Sequence, residues 1–173
     1  MPRATGGLTL RPWRDDDAAA LIVAADDPML RRWTKVRAAD ADEAREWLGV
    51  QHRGWQAGDR YSFAVLDDGQ RLVANVALKL PDPGAGVAEV GYWTAGYARG
   101  QGVAPRALAA LTGWVFATFP GLRRLDLLHQ IDNTASCRVA QKCGYPYEAT
   151  LRAEAPYPRE GHLHVRYQPV RDG

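Results

Sequence analysis

The 173-residue chain sets 22 Lys and Arg against 20 Asp and Glu, a net charge of +2. That is too weak a basic field to argue for nucleic acid as a partner. Apolar residues make up 46% and charged residues 24%, which excludes a disordered chain and suits a folded one with a substantial core. The length fits one domain, so residues 1–173 are read as a single unit.

The opening "MPRATGGLTLRPWRDDD" has no apolar signal-like core, and no run approaches membrane-spanning length. Cys137 and Cys143 stand six apart in one helical stretch. At 1.5 Å per residue they are about 9 Å apart on different faces, too far for a disulfide. Unbridged thiols suit a reducing compartment. A soluble cytoplasmic protein is the expectation, with no membrane partner.

In chain order, "LTLRPW" (8–13) alternates as a first strand. "RDDDAAALIVAADD" (14–27) follows as a helix. Its leading acids, Asp15, Asp16 and Asp17, serve capping and dipole compensation. "PMLRRWTK" (28–35) reads as a short helical turn. "DADEAREWLGVQHRGWQAGD" (40–59) is an amphipathic helix closing near Gly58, with Trp47 and Leu48 on its buried side. "YSFAVL" (61–66), the turn "DDGQ" and "RLVANVALKL" (71–80) form a hairpin. "VAEVGYWT" (87–94) adds an antiparallel strand. Pro105 to Phe119 is a helix with Leu108, Leu111, Val115 and Phe119 on one face. "RRLDLLHQI" (123–131) is a strand. "DNTASCRVAQKCGY" (132–145) is a short helix with Asp132 or Asn133 at its N-cap and Gly144 at its end. "PYEATLR" and "HLHVRYQPV" close the chain as two strands. The order predicts an α+β fold: a mostly antiparallel mixed sheet with helices on its faces.

Between the strand 87–94 and the following helix lies "RGQGVA", Arg99 to Ala104. A helix N-terminus exposes unpaired N–H groups and partial positive charge. Glycines just before it let a phosphate approach without a Cβ in the way. Arg99 and Arg106 add charge-assisted contacts. The stretch therefore reads as a pyrophosphate cradle. A Walker loop needs Gly-Lys-Ser/Thr, and none follows Gly102. A dinucleotide fingerprint needs a third glycine where Pro105 stands. Asp126 lies at a tempting distance for a ribose acid, but that fingerprint belongs to a parallel βαβ repeat, and this segment follows antiparallel hairpins. A dinucleotide therefore ranks low.

"EVGYWTAGYARGQGVAPRAL" and "DNTASCRVAQKCGYPYEATLR", about thirty residues apart, together resemble the GCN5-related N-acetyltransferase (GNAT) superfamily. The nearest branch is the ribosomal-protein N-terminal acetyltransferase type, which the opening "LTLRPWRDDDAAAL" also suits. The resemblance spans nearly the whole chain. It implies an acetyl-CoA-dependent N-acetyltransferase with a single GNAT-like fold, acting by direct attack of a primary amine from a protein N-terminus or a small molecule. It implies that the backbone of Gly100, Gln101, Gly102, Val103 and Ala104, with Arg99, holds the pyrophosphate. Trp93 and Thr94 would pair with the pantetheine arm as an added strand. A splay between that strand and the one ending at Ile131 would admit the thioester. Asn133 would touch the cofactor arm or orient its loop, and Ser136 would face the coenzyme A sulfur. Many superfamily members carry a tyrosine seven residues after the Asn; here the position is Ala140, which leaves Ser136 as the hydroxyl for the leaving thiolate. A non-catalytic acyl-CoA-binding module is the rival reading.

Glu89 and Glu154 are the candidate bases, Glu89 with a structural charge role as its alternative. Glu154 misses the family's acidic position by one residue, Ala155 standing there. Glu148 is expected at the surface. His129 is a candidate for the acceptor cleft, though a lone strand histidine is usually structural. His162 and His164 share a strand face, but the sequence shows no third ligand beside them, so no metal is expected. Cys137 and Cys143 read as packing residues. Trp33, Trp47 and Trp55 read as core before acceptor wall. A homodimer is the prior for oligomeric state.

Overall fold

The computed structural model describes residues 1–2, 6–80, 82, 84–154 and 159–169. Seven strands form one sheet in the order β1-β2-β3-β4-β5-β7-β6. They are β1 Thr9–Pro12, β2 Arg60–Leu66, β3 Leu72–Lys79, β4 Val87–Thr94, β5 Arg124–Gln130, β6 Tyr147–Leu151 and β7 Gly161–Tyr167. The helices are α1 Ala18–Ala25, α2 Pro28–Trp33, α3 Ala41–Ala57, α4 Val103–Thr118 and α5 Thr134–Lys142. No helix among the described residues is long and apolar enough to cross a membrane.

Alternation along β2 divides the core. Phe63 and Val65 point to one face, where Val76, Leu78, Val90, Leu108, Leu111 and Val115 pack beneath α4 and Ala140 of α5 joins them. Ala64 and Leu66 point to the other face, against Leu21 of α1, Leu48 of α3, Trp13 and Trp93. Trp47 meets Trp13 edge-on at 4.9 Å, and Trp55 meets Tyr61 and Phe63 edge-on at 4.9 and 5.3 Å. Both are packing residues.

The helix signals act as the sequence predicts. Asp40 caps α3 by accepting from the Asp42 and Glu43 amides, both at 2.9 Å, and Gly58 ends it with φ of 71°. Asp17 takes a two-pronged ion pair from Arg11 at 2.7 and 2.8 Å and accepts from the Arg14 amide. α4 begins at Val103, two residues before Pro105. Proline is tolerated there because first-turn amides have no partner within the helix.

The sheet is mixed, as expected, and two features of its topology complete the picture. β4-α4-β5 is a parallel crossover, the one parallel pairing among the described residues. The last strand, β7, inserts between β5 and β6. The reading of Val170 as part of the last strand lies outside the described residues, as does the expectation for Ala155.

Replacing the α3 cap, Asp40→Ala, is expected to cost about 1 kcal/mol. Urea unfolding should show it as a lowered midpoint at unchanged m-value.

Candidate active site

β4 and β5 pair over four positions only, from Val87↔Arg124 to Val90↔Leu127. Beyond them β4 stays with β3, from Ala77↔Gly91 to Ala74↔Thr94, while β5 stays with β7 from Leu128↔Leu163 to Gln130↔Gly161. Gly91–Thr94 and Leu128–Gln130 therefore diverge. The opening exposes a sheet edge on β4 that an amide-bearing ligand can pair with. Trp93 and Thr94 lie at its end. The Trp93 ring turns into the α1/α3 core, 6.0 Å from Trp13. Trp93 Nε1 and Thr94 Oγ1 are buried and have no hydrogen-bond partner among the described residues.

Directly after β4, a short 3-10 turn at Gly96–Ala98 leads to Gly100 and Gly102, with φ of 75° and 69°. A Cβ would meet nothing within 4 Å at Gly100, and only Arg106 Nε at 4.0 Å at Gly102. Glycine is demanded here by the left-handed backbone, not by crowding within the protein. The space a side chain would take is open to a ligand. Arg106 binds the carbonyls of Gly102 (3.0 Å) and Gln101 (3.1 Å). It thereby ties the loop's acceptors to a cation. Gln101 reaches back to the Tyr97 carbonyl at 3.1 Å, and Val103 is buried. The Arg99 guanidinium, which the sequence reading assigned to phosphate, is ion-paired with Asp27. Asp27 caps α2 through the Met29 amide, and Arg32 of α2 bonds Asp132 at 3.2 Å. α2 thus ties the glycine loop to the segment before α5.

Asn133 is the N-cap of α5, its Oδ1 accepting from the Ser136 amide at 3.2 Å. That settles the choice between Asp132 and Asn133. Ser136 is not satisfied locally through its hydroxyl: Tyr92 of β4 donates to Ser136 Oγ at 2.9 Å. Burial pushes the Tyr92 phenol up to about 12, against the opposing pull of the Ser136 hydrogen bond. The phenol stays protonated at neutral pH and remains a donor. Ser136 Oγ, accepting from Tyr92, keeps its own proton to give. The tyrosine absent at Ala140 thus has a hydroxyl counterpart delivered from β4. In the sequence Tyr92 carries no motif of its own; only the strand alternation that sets it opposite Trp93 points toward this place.

Glu89 lies in the paired half of β4, opposite Lys79 of β3, and its carboxylate accepts from Lys79 Nζ at 2.5 Å. Glu154 is exposed, as is Glu148. Asp126 is held by its neighbour Arg124 at 2.6 Å. Trp33 is half-buried, with the Arg32 guanidinium 4.5 Å from its ring centroid.

On the β5 side of the opening, the structure assembles what the sequence left scattered. His129 pairs with His162 in the sheet register, and His164 projects to the same face. Cys137, one residue after Ser136, joins them, and a ligating atom of each lies within 4.8 Å of the others. Cys143 is a buried packing residue, but Cys137 is not. Residues far apart in the sequence meet here: His129 and His162 come from neighbouring strands, and Cys137 from a helix.

The chain belongs to the GNAT acetyltransferase family: residues 7–146 match the family model "Acetyltransferase (GNAT) domain". It is an acetyl-CoA-dependent N-acetyltransferase. A Vibrio cholerae structure provisionally described as a ribosomal-protein-serine acetyltransferase is 25% identical, with a TM-score of 0.81 over 97% of this chain and 98% of that one. Mycobacterium smegmatis RimJ in complex with CoA-disulfide is also 25% identical, with a TM-score of 0.80 over 96% and 88%. RimL, a ribosomal L7/L12 alpha-N-protein acetyltransferase in complex with coenzyme A, shares the fold at 20% identity, with a TM-score of 0.84 over 95% and 96%. No curated protein matches the chain.

Gly102→Ala puts a side chain in a left-handed conformation, a cost of about 1–2 kcal/mol. The variant is expected to fold with reduced stability and to bind acetyl-CoA more weakly in calorimetric titration. Unchanged affinity in the folded variant would count against the glycine loop as a phosphate cradle.

Proposed function

We propose that residues 1–173 act as one domain that transfers acetyl from acetyl-CoA to the N-terminal amine of a protein. The observation that carries the chemistry is the β4/β5 opening with the Tyr92–Ser136 hydrogen bond across it. The acceptor is supported by the likeness to the Vibrio cholerae structure described as a ribosomal-protein-serine acetyltransferase.

The amides of Gly100 to Ala104 hold the pyrophosphate, with the N-terminal partial charge of α4 behind them. The free edge of β4 at Trp93 and Thr94 takes the pantetheine amides. Acetyl-CoA supplies an activated acyl group, so the protein's work is to position it and to handle charge and protons. A nitrogen–carbon bond forms as the carbon–sulfur bond breaks, and negative charge develops on sulfur. Ser136 donates its hydroxyl proton in a hydrogen bond to that sulfur, while Tyr92 holds the Ser136 oxygen from the other side. Asn133 sets the first turn of α5 and so the place of Ser136. The attacking amine must be neutral, and a carboxylate takes its surplus proton. Glu89 is preferred to Glu154 because it stands on β4, two residues before the opening begins at Gly91, with Lys79 as an ion-pair partner.

The test is release of free thiol from acetyl-CoA across peptides with free N-termini and a panel of small amines. Peptide-dependent release is expected; release with small amines alone would overturn the protein acceptor. Ser136→Ala should lower kcat about 10²-fold with acetyl-CoA affinity retained. Tyr92→Phe, which loses one neutral hydrogen bond, should cost about tenfold. Turnover untouched by both would remove Ser136 from the chemistry.

A further inference from the structure

The cluster at the β5 side of the opening is unused by the reaction just described. Its ring nitrogens are arranged in a way that ordinary hydrogen bonding does not explain. His129 Nδ1 lies 2.7 Å from the Gln130 carbonyl and His164 Nδ1 lies 3.0 Å from the Tyr145 carbonyl. A carbonyl only accepts, so both Nδ1 atoms must carry hydrogen. In neutral rings both Nε2 atoms then bear lone pairs. Yet these two Nε2 atoms face each other at 3.0 Å. Two acceptors at that distance repel unless something positive lies between or beside them.

The other two members supply what a cation needs. His162 Nδ1 is buried without a hydrogen-bond partner among the described residues. Cys137 is a free thiol, part-buried among the rings. We propose that His129, His162, His164 and Cys137 form a four-ligand site for a borderline-soft divalent transition-metal ion of the zinc type.

Three imidazoles and one thiolate are a donor set for zinc or its neighbours and not for magnesium or calcium, which take oxygen. The two Nδ1–H···O=C bonds are the outer contacts that fix a ligating histidine in the right tautomer. Tetrahedral bonds of 2.0–2.1 Å to nitrogen and 2.3 Å to sulfur put ligand atoms about 3.3–3.6 Å apart. The spread of up to 4.8 Å closes to that by small side-chain rotations. β5 and β7 are fixed in register at His129↔His162, and Gly161 allows the close approach, since a Cβ there would stand 3.0 Å from the His129 carbonyl. Three ligands therefore sit on a stiff sheet. The fourth follows Ser136 on α5. With four protein ligands the site is closed, so the ion is not the catalyst; acetyl transfer in this family needs no metal.

The test uses the full chain, stripped with a chelator and titrated with Co²⁺ and then Zn²⁺. Co²⁺ should bind at one equivalent, with the visible bands of tetrahedral coordination and a sulfur-to-cobalt charge-transfer band. Zn²⁺ should displace it. Cys137→Ser should abolish the charge-transfer band, and His162→Ala should weaken Zn²⁺ binding at least about tenfold. Both residues are part-exposed, so these variants are expected to fold, unlike substitutions at the fully buried His164. Zn²⁺ binding should release about one proton more from the wild type than from Cys137→Ser, because the thiol must ionise. Octahedral cobalt spectra, a sulfur band that survives Cys137→Ser, or Zn²⁺ affinity unchanged by His162→Ala would each overturn the proposal. So would failure to bind at all.

Discussion

Past Val90 and Leu127, β4 and β5 share no ladder, and most of the site follows from that parting. Each strand is secured on its outer side by an antiparallel neighbour, β3 for β4 and β7 for β5. The inner edges can therefore separate without the sheet losing its cohesion. A sheet edge left unpaired ordinarily invites other chains. Here it is confined to a few residues inside a cleft, where a ligand's amides can complete it.

The two ends of the opening are then furnished by helix termini, for opposite purposes. α4 starts from glycines in left-handed conformations, so its first amides stay bare and its partial positive charge points outward. α5 starts from Asn133, whose side chain takes up the Ser136 amide. One N-terminus is left open for an anion, and the other is satisfied so that a hydroxyl is held in place. Tyr92 joins the two sides. Its high pKa keeps it a donor, which fixes the direction in which the Ser136 proton is available.

The histidine and cysteine cluster shares α5 with that machinery but faces β5 and β7. Backbone carbonyls orient the His129 and His164 rings, so their Nε2 atoms converge instead of avoiding each other. The hydroxyl proposed for catalysis and this cluster thus use adjacent residues, Ser136 and Cys137, in the first turn of one helix.

Local chemistry made much of this legible in the sequence. Alternation placed the strands, and Asp40, Gly58 and Asn133 marked helix ends, because caps and turns depend on residues within a few positions of one another. The glycine loop after β4 was readable for the same reason, since a left-handed backbone is a local demand. The family resemblance rested on two local motifs, and the fold bears it out. What the sequence could not supply were distances between segments. The family resemblance implied that β4 and β5 splay apart, but the residues at which their ladder ends have no local sign, and β7 gives none that it inserts between β5 and β6. From these pairings come the opening itself, the meeting of Tyr92 with Ser136, and the union of His129 and Cys137 with His162 and His164. Backbone conformation is set by neighbours in the chain; strand order is set by which faces can be buried together, and only the assembled tertiary structure decides that.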